Sequence, residues 1–241
     1  MSPILVGYHH FLGIAARIDW DADAIDLTND AQRWPHLSPA RRERVTAFVA
    51  AFALAEERVA LDLEAFVAAA PSSEIATCFR AQARDEERHA RFFDRYTREV
   101  LRVADLYEHV APWFAELFEE RLGAAARELA SGRLPLADAV ALYHLALEGV
   151  VFSAGQNALL AELQARRELP ALREGLERVV ADERWHIGFG VRVLRGAVGA
   201  ETTAIDAEHV IGAWGNLLRP DQRDAALNLH QRRLAAAGLA G

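Results

Sequence analysis

The hexapeptide RDEERH at residues 84–89 carries the strongest pattern in this chain, and a close copy, ADERWH, follows at residues 181–186. Each copy places a glutamate three residues before a histidine, a spacing that puts both side chains on one face of an α-helix. With nine histidines in the chain, roughly one such pair is expected by chance. The second copy, and the aspartate that precedes the glutamate in both, argue against coincidence.

A single glutamate precedes each copy by about the length of a helical hairpin. At residues 55–66, AEERVALDLEAF contains Glu56, whose helical face also carries the apolar Val59. At residues 143–156, YHLALEGVVFSAGQ contains Glu148, with no basic residue within one helical turn. Each half of the chain therefore supplies one glutamate and then a Glu-x-x-His pair.

Long runs of Ala, Leu, Glu and Arg between a few Gly and Pro residues predict an all-α fold. Ser38 followed by Pro39 is typical of a helix start. The predicted long helices span residues 39–70, 73–104, 112–132, 135–167 and 171–198. Two shorter helices are expected around Pro220, and residues 1–37 give mixed turn and helix signals. No linker rich in Gly, Ser or Pro interrupts the pattern, so we expect one helical bundle over residues 1–241.

Four of these helices direct a carboxylate toward the predicted core, which is unfavourable for an unpaired ionised acid. Two divalent cations carry four positive charges and would neutralise four glutamates, and two neutral histidines complete the donor set. The sequence therefore predicts a dinuclear metal centre. Its proposed ligands are Glu56, Glu86, His89, Glu148, Glu183 and His186.

The aspartates of the two motifs, Asp85 and Asp182, have two interpretations. Either each accepts a hydrogen bond from the N–H of a ligand histidine and so orients the ring, or each is an ordinary surface aspartate. The surface alternative is about as strong as the first for Asp85 and weaker for Asp182.

Composition excludes several classes of function. The formal net charge is −8 and the pI is about 5.6, which argues against nucleic acid and anionic membranes as partners. Cys78 is the single cysteine, and the first residues lack the basic and apolar regions of a signal peptide, so we expect a cytoplasmic protein. No run of about 18 uncharged apolar residues is present, so we expect no membrane span.

On these motifs the sequence resembles the ferritin-like dimetal carboxylate superfamily. Over residues 45–198 it is most similar to the ligand-binding oxidases that resemble the small subunit of ribonucleotide reductase. The resemblance implies a ferritin-like four-helix bundle with additional flanking helices, and an O2-activating oxidase or monooxygenase. It also implies a metal pair of Fe with Mn or Fe with Fe, a long-chain fatty acid as an apolar ligand, and a homodimer. In that family a valine and a tyrosine become joined by an ether cross-link, and the matching residues here are Val59 and Tyr143.

Several features bear on the alternatives. Phe93 occupies the position where radical-forming reductase subunits resemble one another in carrying tyrosine, and no tyrosine follows Tyr143, which disfavours a true reductase subunit. Only 58 residues follow Glu183, fewer than the oxidase family leads us to expect. Two other hypotheses stay open, namely a ferritin-like ferroxidase that stores iron and a metal-free helical interaction module.

Four further residue groups are weaker candidates for functional roles. His9 and His10 are expected in a solvated segment, His144 in packing or at the surface, and Cys78 as a small core residue. Arg184 and Trp185 lie inside the second motif and have two interpretations: they shape the pocket or, as the stronger expectation, they pack on the outer face of their helix.

Overall fold

The fold is entirely helical over the part of the chain that the computed structural model describes, residues 6–197 and 206–239; within these ranges no strand occurs. The α-helices are α1 Tyr8–Ile18, α2 Thr28–Arg33, α3 Pro39–Ala69, α4 Ser73–Tyr96, α5 Pro112–Glu116, α6 Gly123–Ala130, α7 Leu136–Val140, α8 Ser153–Arg166, α9 Pro170–Gly196, α10 Ala207–Ile211 and α11 Pro220–Ala237. The prediction of an all-α fold is confirmed.

Four long helical segments form the bundle: α3, α4, the continuous stretch from α7 to α8, and α9. Their ends follow local chemistry. The Ser38 and Ser72 hydroxyls accept hydrogen bonds from backbone N–H groups of the first turns of α3 and α4. Pro170 starts α9, where its fixed φ suits the first helical turn.

Three π-helical segments interrupt helices that the sequence predicts as uniform: Thr97–Leu101 after α4, Leu117–Leu122 between α5 and α6, and Ala141–Phe152 between α7 and α8. The predictions for residues 73–104, 112–132 and 135–167 were therefore right in approximate extent, with the first helix ending early at Leu101, and wrong in helix type over the π-helical segments. Helix propensity and apolar spacing hardly differ between the two types, so the sequence does not reveal the wider turns. In the third segment, i→i+5 bonding brings residues five apart, such as Tyr143 and Glu148, nearly onto one face.

The shorter helices cover the bundle. In the segment that the sequence left unassigned, α1 packs against α4 and α9. Near the other end of the chain, α11 packs against α9 and the π-helical segment Ala141–Phe152, and α10 precedes it, as expected for the two helices around Pro220. The motif-bearing faces of the four long helices are thus enclosed.

The stretch Leu136–Arg166 has the length and composition of a membrane span, with an 18-residue window of mean hydropathy 1.4. In the structure 83% of that window is buried within the protein, as in the central helix of a bundle.

Candidate metal centre

The structure brings together all six side chains that the sequence proposes as metal ligands. Each is at most 2% exposed. They come from four elements of the bundle: Glu56 from α3, Glu86 and His89 from α4, Glu148 from the π-helical segment, and Glu183 and His186 from α9.

The six donors form two groups whose ligand atoms lie within 4.8 Å of one another, and the groups share Glu86. The first group contains Glu56, Glu86, His89 and Glu183. The second contains Glu86, Glu148 and His186. A shared carboxylate between two carboxylate and histidine sets is the donor arrangement that a dinuclear centre requires.

Glu86 lies between the two histidines. Its Oε2 is 2.9 Å from Nδ1 of His89, and its Oε1 is 3.1 Å from Nδ1 of His186. Both imidazoles therefore turn Nδ1 toward the carboxylates, so Nδ1 is the ring atom placed to bind a cation.

The other nitrogen of each ring faces an aspartate on the partner helix. Nε2 of His89 on α4 donates to Oδ2 of Asp182 on α9 at 3.0 Å, and Nε2 of His186 on α9 lies 3.3 Å from Oδ2 of Asp85 on α4. Asp85 is 5% exposed and Asp182 is fully buried, so the surface alternative is wrong for both aspartates. One guanidinium nitrogen of Arg88 contacts both aspartates, at 2.7 Å from Asp85 and 3.0 Å from Asp182.

Two tryptophans complete this network. Nε1 of Trp185 donates to Asp85 at 3.1 Å, and Nε1 of Trp20 donates to Asp182 at 2.8 Å. Trp185 is 2% exposed, so its predicted outer-face position is wrong. The aspartate beside it needs a buried N–H donor, and an indole supplies one while filling apolar volume.

The cluster lacks positive charge to match its acids. Burial raises the pKa of Glu56 well above its usual range, raises that of Glu183, and raises that of Glu148 to about 8. Burial opposes ionisation of His89 and His186, but the neighbouring Glu56 and Glu86 carboxylates outweigh it and raise the pKa of both rings.

Several polar atoms of the cluster are buried without a hydrogen-bond partner in the described part of the chain. They are both carboxylate oxygens of Glu56, Oε2 of Glu148, Oε2 of Glu183 and Nδ1 of His186. Nδ1 of His186 is close to Glu86 but outside hydrogen-bonding geometry, and Oε2 of Glu56 is 3.6 Å from Nδ1 of His89, beyond hydrogen-bonding distance. Such orphaned acceptors are costly in a protein interior unless a cation binds them. Two divalent cations fit this donor set, because they would satisfy these atoms and balance the four glutamates.

Tyr143 and Val59 are both 1% exposed. The Tyr143 hydroxyl donates to Oε1 of Glu86 at 2.7 Å, so the phenol touches the proposed ligand set directly. Burial, followed by the charge of Glu148, raises the pKa of Tyr143 well above its usual value, so the phenol stays protonated. Val59 lies one turn after Glu56 on α3.

Apart from Trp185, none of the weaker candidates contributes one of the six proposed ligands or contacts Asp85 or Asp182. His9, His10 and Arg184 are exposed, and Cys78 is buried. His144 is packed inside the protein, where burial lowers its pKa to about 3.

Four residues that contact the proposed ligands or their aspartates were not predicted from the sequence: Trp20, Gln82, Arg88 and Gln156. Arg88 stands inside the first motif, three residues after Asp85, and that spacing was the one available signal for it. Trp20 reaches the site from far away in sequence, so no local pattern could have shown it.

Comparisons with known proteins agree with this geometry. The family model described as "Ribonucleotide reductase, small chain" matches residues 14–211. An R2-like ligand-binding oxidase from Sulfolobus acidocaldarius superposes with a TM-score of 0.83 at 24% identity, over 97% of this chain and 90% of that one. A variant R2-like ligand-binding oxidase with an anaerobically reconstituted Mn/Fe cofactor gives 0.79 at 20% identity, over 97% and 91%. The resemblance in sequence and the ferritin-like fold are confirmed, and the chain belongs to the ribonucleotide reductase small-chain family.

Proposed function

We propose that this protein is an O2-activating dimetal oxidase or monooxygenase. The observation that carries the proposal is the convergence of four glutamates and two histidines in a buried interior, with carboxylate oxygens that accept no hydrogen bond from the described residues. Fe with Mn, or Fe with Fe, is the proposed pair. Its support is the donor chemistry together with the Mn/Fe cofactor of structurally similar oxidases.

Each proposed ligand has a distinct role. Glu56, Glu183 and His89 would hold one metal, Glu148 and His186 would hold the other, and Glu86 would bridge them. The bound pair would supply the electrons that reduce O2. The protein excludes water, because the ligands are buried, and it fixes the histidine rings through Asp85 and Asp182.

We propose that Tyr143 and Val59 form an ether cross-link during this reaction. A C–O bond forms, one hydrogen atom leaves the phenol and one leaves a Val59 C–H bond, and O2 accepts both with their electrons. The support for this step is that the Tyr143 hydroxyl donates a hydrogen bond to Glu86, which is one of the proposed ligands.

An apolar, fatty-acid-like molecule is the proposed further ligand, and its support is the similarity to oxidases described as ligand-binding. A homodimer in the cytoplasm is the proposed assembly and location.

Phe93 argues against a tyrosyl-radical subunit, because this buried ring packs 5.4 Å from Phe52 and offers no phenol there.

The proposal is tested by loading purified protein with Fe(II) and Mn(II) without air, admitting O2, and measuring bound metal, O2 uptake and intact mass. We expect two metals per chain and the loss of two hydrogen atoms in peptides containing Val59 and Tyr143. Fewer than one metal per chain would overturn the proposal, whereas two metals with an unchanged mass would overturn the cross-link alone. A large hollow assembly that accumulates iron would favour the storage alternative.

A further inference from the structure

The π-helical segment Ala141–Phe152 carries two side chains of the site, Tyr143 and Glu148. In an α-helix, residues five positions apart point about 140° away from each other, so one of the two would face away from the bundle centre. The i→i+5 turns bring both to the same side. The Tyr143 hydroxyl therefore reaches Glu86, and Glu148 joins the donor group of Glu86 and His186. The wide turns thus allow one segment to supply both groups.

The C-terminal part of the chain donates two hydrogen bonds to the backbone of this segment. Nε1 of Trp214, which precedes α11, lies 2.8 Å from the carbonyl oxygen of Val151. Nη1 of Arg233 on α11 donates to the carbonyl oxygen of Gly149. Trp214 is 2% exposed, so its bond does not compete with water. Side-chain donors at helix carbonyls accompany a change in the regular main-chain ladder, and here they come from an element distant in sequence.

Two glycines make room for these donors. A Cβ on Gly149 would lie 3.3 Å from Nη1 of Arg233, which is a tight contact. A Cβ on Gly155, in the first turn of α8, would lie 2.1 Å from the Trp214 ring. That distance is far inside van der Waals contact, so the indole can lie against α8 only where a glycine stands. Both donors are therefore fitted to the backbone that they contact.

We propose that Trp214 and Arg233 are positioning residues that hold the segment Ala141–Phe152 in its π-helical turns and so place Tyr143 and Glu148 together at the site. The α-helix is the common form and the π-helix is rare, so a segment without these donors should relax toward α-helical turns. The donor group that contains Glu148 would then bind metal more weakly. The other group, whose ligands come from α3, α4 and α9, would keep its affinity. The consequence for the metals rests on the proposed dimetal function.

Hydrogen exchange of the metal-free protein tests the hold on the segment without any metal. Trp214→Phe keeps an aromatic ring and removes the N–H. Arg233→Met removes the guanidinium, and Arg233→Lys keeps a charged donor. Trp113→Phe is the control for the tryptophan, because Nε1 of Trp113 lies 3.5 Å from the carbonyl oxygen of His209, outside the π-helical segment. Arg232→Met is the control for the arginine, because Arg232 is the exposed neighbour of Arg233 on α11.

We expect peptides from the π-helical segment to exchange about 10-fold faster in Trp214→Phe and Arg233→Met than in the wild type, because each variant loses one buried hydrogen bond. Both controls should exchange at the wild-type rate, and Arg233→Lys should recover part of the protection. Unchanged exchange in both Trp214→Phe and Arg233→Met would overturn the proposal.

An anaerobic Fe(II) titration of the same proteins measures the consequence at the site. We expect Trp214→Phe and Arg233→Met to bind one metal as tightly as the wild type and the second more weakly. Equal binding of both metals, or equal weakening of both, would overturn the positioning role. Absence of metal from the wild type would instead overturn the proposed function and leave the hold on the segment intact. If one variant fails to fold, as judged by thermal melting, the other and its control decide the comparison.

Discussion

His89 on α4 donates its Nε2 hydrogen to Asp182 on α9 across 3.0 Å, in the half of the site where α9 also contributes Glu183. This bond links α4 to α9. The contact between His186 on α9 and Asp85 on α4 links the same two helices with the roles exchanged. Both rings are thereby held with Nδ1 toward the carboxylates. The repeated Asp-Glu-x-x-His motif is thus a crossed pair, in which the aspartate of one motif orients the histidine of the other.

Replacing Asp182 with Asn should weaken metal binding about 10- to 100-fold, because the His89 ring loses its charged acceptor. The measurement is an anaerobic Fe(II) titration. Asp94→Asn is the control, since Asp94 is an exposed aspartate on the same helix as His89 that pairs with Arg98. Equal affinities in the two variants would contradict the orienting role of Asp182.

Glu148→Gln should have opposite effects on the metal-free and metal-loaded protein. Burial raises the folded-state pKa of Glu148 to about 8 from an ordinary value of 4.5, so the metal-free fold loses stability as pH rises between these values. The Gln variant lacks this loss, so at pH 8 its metal-free form should be more stable by roughly 4 kcal/mol.

Urea unfolding of both proteins at pH 5 and pH 8, with and without Fe(II), measures this difference. With metal the order should reverse, because the wild type gains binding free energy and the variant has lost a ligand. A stability difference that is the same at both pH values would show that Glu148 is not the titrating group.

Tyr143→Phe should abolish the loss of two hydrogen atoms after aerobic loading while two metals remain bound. The substitution keeps all six proposed ligands and removes two hydrogen bonds, one donated to Glu86 and one accepted from Nε2 of Gln82. Tyr96→Phe is a matched control, because Tyr96 is also fully buried and donates to a carboxylate, Asp30, at 3.0 Å. A persistent mass loss in the Tyr143 variant would assign the oxidation to another residue.

Cys78 should be almost unreactive toward iodoacetamide at pH 8 in the folded protein. Burial raises its pKa to about 12, so nearly all of it is the neutral thiol, and the side chain is fully buried. Unfolding in urea should restore the ordinary thiol pKa of about 8.5 and fast alkylation. Mass spectrometry of quenched samples follows both rates, and fast labelling of the folded protein would contradict the packing around α4.

The convergence of the six proposed ligands was predictable because charge and periodicity conflict at these positions. An acid such as Glu148 within an apolar helix needs a partner that offsets its burial, and the i, i+3 spacing of Glu and His favours a metal ion as that partner. The long helices α3, α4 and α9 could also be predicted, because their starting residues and apolar stripes are local features of the sequence.

The network around the ligands was not predictable in the same way. No local sequence pattern marks Trp20, Gln82 or Gln156 as part of the site. Their partners come from other helices and become neighbours only when the bundle packs. The π-helical turns around Glu148 were missed for a related reason, because tertiary contacts and not residue propensity select that geometry. Trp185 was misplaced because its position in the motif carries no sign of the buried acceptor on α4.

Anomalous diffraction from crystals of the Fe- and Mn-loaded protein, collected at both absorption edges, tests the dimetal centre most directly. We expect two metal peaks, one near Nδ1 of His89 and one near Nδ1 of His186, with the Glu86 carboxylate between them. A single peak, or peaks on the surface with these side chains unliganded, would contradict the account.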